Sequence, residues 1–234
     1  MRSTKQVSAR GALNLVRIII NNIKKDFTVE FRGRYAVNIA IAFAFIITLS
    51  ISFATGGALM QPGIQSIFIW IILFFSAMNS LAHVFTREHE ESTSLFLKLH
   101  APAEIIFLSK LLYNMTMFVT LEILIIPLCV FFFSVNVYQL LPFTVTALVG
   151  GIAITSATTI IGAIVSQSGG RASLFTILSF PISLPILWVT IDATSRCITS
   201  GIVFSWNNIL FLLAFSIALL GVSYLLFPLV WNEV

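Results

Sequence analysis

Six long apolar stretches constrain this chain more than any other feature of its sequence. They cover residues 35–55, 64–85, 106–133, 140–165, 173–193 and 207–230. Each is long enough to cross a bilayer core of about 30 Å as a helix. The stretches are also too long and too uniformly apolar for the alternating pattern of a membrane β-barrel. The sequence therefore predicts an all-α integral membrane protein with six transmembrane helices.

The overall composition agrees with a chain surrounded by lipid. Of the 234 residues, 58% are hydrophobic and only 9% are charged, and the mean hydropathy is +1.02. A water-soluble domain cannot bury that much apolar surface, so lipid must cover a large part of it. The first long apolar stretch begins only near Tyr35, so we expect no cleaved secretory signal.

The distribution of lysine and arginine predicts the orientation in the membrane. Eight of the thirteen precede residue 35, and with the N-terminus inside, four more fall on the inner side, at Arg87, Lys98, Lys110 and Arg171. Only Arg196 lies on the outer side, so the bias is twelve to one. Cytoplasmic loops carry such an excess, which predicts that both termini are cytoplasmic. Three tryptophans, Trp70, Trp188 and Trp206, are then expected toward the outer interface, or else as ordinary buried aromatics.

Two regions follow from these patterns: residues 1–34, a basic N-terminal segment, and residues 35–234, the six-helix membrane domain. The apolar side chains of the first region fall within about 80° of one another on a helix. They are Leu13, Val16, Ile20, Ile23, Phe27 and Phe31. Such an amphipathic helix is expected to lie on the inner leaflet, with its basic residues facing lipid headgroups. The alternative is a soluble helix that packs on another subunit.

The sequence contains no motif for catalysis, metal binding or nucleotide binding. Cys129 and Cys197 have no metal-site or haem-attachment spacing, and whether they pair is left open. There is no HExxH motif and no GxxxxGK[ST] loop, so any ATPase must be a separate subunit. The net charge of +4 is attributed to contact with anionic lipids rather than nucleic acid, because the basic residues flank membrane spans. We therefore expect neither an enzyme nor a metal site on this chain.

The connection between the second and third spans is the longest hydrophilic segment after the N-terminus. It reads Phe85-Thr-Arg-Glu-His-Glu-Glu-Ser-Thr-Ser-Leu-Phe-Leu-Lys-Leu-His-Ala-Pro102. Acidic residues at its start and Pro102 at its end predict a short cytoplasmic helix. Its charged surface and exposed apolar end could dock a cytoplasmic protein, or the segment could be a solvated loop helix without a partner. Lys110, just beyond it, could extend its ammonium group back to the headgroups.

An amphipathic N-terminal helix, six spans and this acidic connection resemble the permease subunits of ABC-2 type exporters. More narrowly, residues 85–110 and the segment 169–187, GGRASLFTILSFPISLPIL, are similar to the haem exporter protein B (CcmB) family of cytochrome c maturation. The second segment, with its Gly-Gly turn and two prolines four residues apart, is the more specific match. The similarity covers roughly residues 30–230. Where the family usually has Gly, a small residue, Leu and then Glu, this chain has Thr93, Ser94, Leu95 and Phe96.

The resemblance implies a permease subunit in the bacterial inner membrane. A cytoplasmic ABC ATPase would bind ATP and contact the connection as a coupling helix, through Arg87, Glu88, Glu90, Glu91, Leu95, Phe96 and Leu99. The other implied partners are a haem-handling membrane subunit and the haem chaperone, and haem is the implied cargo of the complex rather than a cofactor of this chain. The alternative function is an ABC-2 permease that exports a lipid or a drug.

Glu122 is the one acidic residue near the middle of a span, where a charge is costly unless it faces protein or water. It could pair with hydroxyls of the fourth span, such as Thr155 or Thr158, or line a substrate path. Pro181 and Pro185 should kink the fifth span and are candidates for a hinge or for the same path, although a bend that only improves packing is an equal alternative. Small residues in the fourth span favour close helix approach, within the subunit or in a homodimer.

Haem ligation by this chain is not expected. Its three histidines, His83, His89 and His100, all fall on the predicted cytoplasmic side. The predicted outer face offers only Met60 and Cys197 as ligands of the kind that haem iron accepts. The sequence does not decide whether the subunit helps to move haem or powers release of a haem-loaded chaperone.

Overall fold

A computed structural model describes residues 19–30, 35–56, 59–81, 102–167 and 172–232, which form seven α-helices and no β-strand. A short helix, α1, covers residues 19–30. Six long helices follow: α2 (Tyr35–Ala54), α3 (Pro62–Leu81), α4 (Ala103–Phe132), α5 (Leu140–Gln167), α6 (Ala172–Ile198) and α7 (Trp206–Asn232). All six are long enough and apolar enough to cross a membrane. The prediction of an all-α protein with six membrane helices is confirmed.

Helix α5 is the centre of the bundle and packs against α4, α6 and α7. Of its most apolar segment, 72% is buried within the protein, compared with 17% for α2 and 22% for α7. Three alanines of α5, Ala153, Ala157 and Ala163, are fully buried, and their small side chains let the neighbouring backbones come close. Helices α2 and α7 lie at the periphery, where their apolar faces are left for lipid.

The side chain of Trp70, on α3, packs against α5 and α6. Its side chain is 1% exposed, and its Nε1 donates a hydrogen bond to Oγ1 of Thr194 on α6 at 2.8 Å. The ring tip lies against Gly150 of α5, the only kind of residue that leaves room for it there. Trp70 is therefore a buried aromatic, because α5 and α6 together provide a cavity and an acceptor. Trp188 and Trp206 are exposed, at 78% and 54%.

The turns after α2, α4 and α6 meet at one end of the bundle, which the orientation analysis predicts to be the outer end. The backbone N–H groups of Tyr138 and Gln139 both donate to the Cys197 carbonyl, at 3.1 and 3.2 Å. The side chain of Gln139 donates to the Ile202 carbonyl at 2.7 Å. Gly201 turns the chain with a φ of 77°, a conformation that favours glycine. These contacts fix the ends of α4, α5 and α6 relative to one another.

Candidate functional site

The predicted coupling helix lies outside the described residues. This applies to the whole segment 82–101, and hence to the seven residues expected to contact an ATPase: Arg87, Glu88, Glu90, Glu91, Leu95, Phe96 and Leu99. Their roles stay predictions. The structure does describe the helix that follows this segment, since α4 begins at Ala103 directly after Pro102.

The start of α4 is joined to α1 by a buried ion pair. Nζ of Lys110 lies 2.8 Å from Oδ2 of Asp26, and the two side chains are only 3% and 11% exposed. The rings of Phe27, the next residue of α1, and Tyr113, three residues further along α4, pack edge to face with their centroids 5.0 Å apart. Lys110 thus finds an anion within the protein, at Asp26, and its predicted extension toward the headgroups stays a prediction. Helix α1 packs on its own subunit through this face.

The last described residue of α1, Glu30, contacts the first span. Oε1 of Glu30, a residue that is 6% exposed, accepts a hydrogen bond from the backbone N–H of Val37 on α2 at 3.3 Å. Ile20, near the start of the described part of α1, is 56% exposed. Contact of α1 with the inner leaflet stays a prediction, while the contacts of Asp26, Phe27 and Glu30 show that α1 bridges α2 and α4.

Glu122 lies in the contact between α4 and α5. Its side chain is 4% exposed, and an ideal Cβ placed on Gly151 of α5 would come within 2.8 Å of its Oε1. Two turns earlier on α4, Nδ2 of Asn114 donates to Oγ1 of Thr159 at 2.9 Å. The pairs 114 with 159 and 122 with 151 follow one antiparallel register. We call this contact, between 114–122 of α4 and 151–159 of α5, the α4–α5 seam.

The seam does not supply the hydrogen bonds that the sequence suggested for Glu122. Oγ1 of Thr155 donates to the Gly151 carbonyl at 2.8 Å, and Oγ1 of Thr158 is 3.4 Å from the Thr155 carbonyl. Both hydroxyls therefore bond within α5. Among the described residues, Oε1 of Glu122 is buried without a hydrogen-bond partner, as is Oδ1 of Asn114. The suggested pairing of Glu122 with these two threonines is wrong for this arrangement.

Pro181 and Pro185 both lie inside α6, which stays helical through them. Each proline lacks an N–H and so leaves one carbonyl of the preceding turn without its helical partner. The neighbouring hydroxyls of Ser179 and Ser183 are fully buried and have no hydrogen-bond partner in the described part of the chain. The middle of α6 is therefore weakly hydrogen-bonded, which is compatible with the predicted hinge or path but does not test it.

The sequence reasoning missed three features near these residues. Pro127 lies inside α4, a little more than one turn after Glu122, and weakens that helix beside the buried carboxyl. Asn114 belongs to the same seam. Asp26 pairs with Lys110 across 84 positions of sequence. Pro127 could have been noted from the sequence, as it interrupts an apolar run, but neither long-range contact has a local signal.

Two grooves open between the turns at the predicted outer end. One has a volume of about 570 Å³ and lies between Tyr138, Pro142 and Trp206. The other, of about 240 Å³, reaches Met60. Cys197 is fully buried and, like Cys129, is a free thiol, so the two do not form a disulfide. Within the described ranges, no group of three His, Cys, Asp or Glu side chains could hold a metal ion.

The sequence profile of the CcmB protein family matches residues 17–229. The match covers all of the described α1 and all six membrane helices except the last three residues of α7. The chain belongs to the CcmB family. A search of curated protein sequences finds no match. The profile begins thirteen residues before the start of the resemblance inferred from the sequence, near residue 30, so α1 and its contacts belong to the shared family region.

Membership in the CcmB family gives the general role of the chain. CcmB proteins are multi-pass permease subunits of a haem exporter ABC transporter that works in cytochrome c biogenesis together with an ATPase. The α4–α5 seam, the weakened middle of α6 and the α1–α4 contact are thus features of a transporter subunit. None of them resembles the convergent set of acid, base and nucleophile that an enzyme site requires.

Proposed function

We propose that this CcmB chain couples ATP hydrolysis by a separate ATPase either to haem export or to release of a haem-loaded chaperone. The observation that carries the proposal is the family match over residues 17–229. The absence of a GxxxxGK[ST] loop from the sequence supports a separate ATP-binding subunit. In such a complex, nucleotide binding in the partner shifts the balance between two arrangements of the spans.

In this proposal the segment 86–101 receives the motion of the ATPase. The segment leads into α4, so a displacement of its end would act directly on the helix that carries Lys110 and Glu122. Because Lys110 is paired with Asp26, α1 would move together with the start of α4. This arrangement supports a coupling path from the segment to the α4–α5 seam. The weakened middle of α6 is the proposed hinge or part of the substrate path.

The proposed setting is the bacterial inner membrane, with both termini in the cytoplasm. The proposed partners are the ATPase, a haem-handling membrane subunit and the haem chaperone. Haem is proposed as cargo of the complex, with no cofactor held by this chain. The twelve-to-one bias of basic residues supports this orientation, because cytoplasmic loops carry an excess of Lys and Arg. In this orientation the segment 86–101 would be accessible to an ATPase.

Deletion of the gene followed by haem staining of membrane proteins tests the proposed role. Loss of c-type cytochromes is expected, and their return on complementation with the wild-type chain. Normal c-type cytochromes in the deletion strain would reject the proposal. If export of a lipid or resistance to a drug changed while the cytochromes stayed normal, the alternative ABC-2 permease function would hold instead.

Substitutions in the segment 86–101 test the proposed coupling separately. Glu91→Lys and Leu95→Ala are expected to reduce co-purification of the ATPase and c-type cytochrome content, while the protein still accumulates in the membrane. Ser92→Ala is the matched control, a mild change in the same segment that is expected to leave both readouts unchanged. If the first two variants bind the ATPase and support cytochromes as the wild type does, the segment has no coupling role.

A further inference from the structure

The carboxyl group of Glu122 has no hydrogen-bond donor within the described part of the chain. Its Oε1 is buried and unpartnered. The hydroxyls in the middle of α5 are all committed to carbonyls of α5 itself. These are Thr155 to Gly151, Ser156 to Ile152, Thr158 to Thr155 and Thr159 to Thr155. These hydroxyls of α5 therefore offer Glu122 no spare donor, which makes the site unfavourable for a carboxylate.

Among the described residues, no positive charge compensates Glu122 either. Helix α1 contacts α4 at Lys110 and Tyr113, through Asp26 and Phe27. The other helices that pack against α4, which are α2, α3, α5 and α7, contain no Asp, Glu, Lys, Arg or His. On α4 itself, Lys110 lies twelve residues earlier, about 18 Å along the helix axis, and is paired with Asp26. Arg196, on α6, is hydrogen-bonded to Asp192 at 2.8 Å. An ionised Glu122 would thus be an isolated charge inside the membrane, which is costly.

The space around the carboxyl limits what could neutralise it. An added Cβ on Gly151 would come within 2.8 Å of both Oε1 of Glu122 and Cδ1 of Phe118. The glycine backbone and the aromatic ring therefore leave no free volume on the α5 side of this oxygen. A hydrated metal ion or an organic cation does not fit there without moving α4 away from α5. A proton needs no such space.

We propose that Glu122 is a proton-binding site, and that its carboxyl carries a proton in the packed arrangement of α4 and α5. The proton comes from water and forms an O–H bond with one carboxyl oxygen, which leaves the group neutral. Separation of α4 from α5 would admit water, restore solvation of the carboxylate and release the proton. The site follows from the seam alone and does not depend on which cargo the complex handles.

Infrared difference spectroscopy on the purified protein tests this site at neutral pH. The wild type is expected to show the carbonyl stretch of a protonated carboxylic acid, and Glu122→Gln is expected to lose it. Glu104→Gln, which changes a carboxyl at the start of the same helix, is the control and should keep the band. A Glu122→Gln spectrum that loses carboxylate bands instead would show that the group is ionised, and would overturn the proposal.

A second variant covers the case in which Glu122→Gln does not fold. Glu122→Asp keeps a carboxyl group but shortens the side chain by one methylene, which draws it away from Gly151. The acid band is expected to shift in frequency rather than disappear, because the proton remains while the surroundings change. A band that is identical in the wild type and in Glu122→Asp would assign the signal to another residue and would also overturn the proposal.

Discussion

Gly150 of α5 lies against side chains of two neighbouring helices, α3 and α6. An added Cβ there would lie 2.5 Å from Cη2 of Trp70 on α3 and 2.7 Å from Cγ2 of Thr190 on α6. Trp70 cannot move aside freely, since its Nε1 is hydrogen-bonded to Thr194. We expect Gly150→Ala to destabilise the protein by about 1–3 kcal/mol, the usual cost of overpacking a well-packed interior. Thermal unfolding of the purified protein in detergent measures this loss.

Gly221→Ala is the matched control for this prediction. Gly221 also lies inside a membrane helix, α7, but an added Cβ there would have no atom within 4 Å. Alanine has the higher helix propensity by about 1 kcal/mol, so this variant should be as stable as the wild type or more so. Equal melting temperatures for Gly150→Ala and Gly221→Ala would show that the contact at Trp70 is not tight.

Single residues differ in how far the sequence reveals them. Glu122 stands out because a lone acid within an apolar run is rare and costly. The sequence does not show that its oxygen lacks a donor, because that depends on where the hydroxyls of α5 point. Thr155 and Thr158 look like partners by spacing, but in a helix such hydroxyls can bond to the preceding turn of their own backbone, as both do here.

At the scale of helices, the ion pair between Asp26 and Lys110 determines how α1 attaches to α4. Replacement of Asp26 by asparagine leaves the buried ammonium group of Lys110 without this anion. Loss of one partner of a buried pair costs about 3–5 kcal/mol, so α1 should detach more often. We expect faster tryptic cleavage at Lys24 and Lys25 in the purified Asp26→Asn protein than in the wild type.

Thr28→Ala provides the comparison on the same helix. Thr28 is exposed, and its hydroxyl donates only to the Lys24 carbonyl one turn earlier. This change should leave the cleavage rate within a factor of about two of the wild type, because surface substitutions usually alter stability by less than 0.5 kcal/mol. Equal cleavage rates for Asp26→Asn and the wild type would mean that the ion pair does not hold α1 in place.

Helix α6 allows a prediction about its two prolines. Combined Pro181→Ala and Pro185→Ala restores two backbone donors to the helix interior, so the melting temperature should stay equal or rise. If the weakened segment acts as a hinge, the same variant should lower c-type cytochrome content. Pro142→Ala, in the first turn of α5 where no donor is needed, should change neither quantity. A normal content of c-type cytochromes in the double variant would show that the prolines contribute only to packing and do not form a hinge.

The sequence predicts the membrane helices well and their ends less well. The predicted and observed starts of α2 and α5 agree, because an apolar run begins there with little ambiguity. Helix α6, however, continues to Ile198, five residues beyond its predicted end. Hydropathy marks where the apolar run stops, whereas the helix ends where its hydrogen bonding stops. Asp192 and Arg196 extend it by pairing one turn apart, and Asp192 also accepts a hydrogen bond from Asn208 of α7.

For the whole molecule, the lengths of the apolar stretches and the composition are sufficient to predict six spans, but they do not predict which helix is central. Helix α5 owes its position to small residues such as Gly150 and Gly151, whose neighbours are Trp70 on α3 and Glu122 on α4. The small-residue pattern suggested close approach either within the subunit or in a homodimer. The structure shows that this face of α5 packs within the subunit. Its partners there lie tens of residues away in sequence.

The orientation of the whole molecule can be measured with single cysteines. Both native thiols, Cys129 and Cys197, are fully buried, so a wild-type background should react little with a maleimide that cannot cross membranes. Ser200 is exposed in the turn after α6. In intact cells with a permeable outer layer, Ser200→Cys should be labelled at once, whereas Lys98→Cys should be labelled only after the inner membrane is disrupted. Labelling of Lys98→Cys in intact cells would place the segment 86–101 outside, beyond the reach of a cytoplasmic ATPase, and would contradict the coupling role proposed for it.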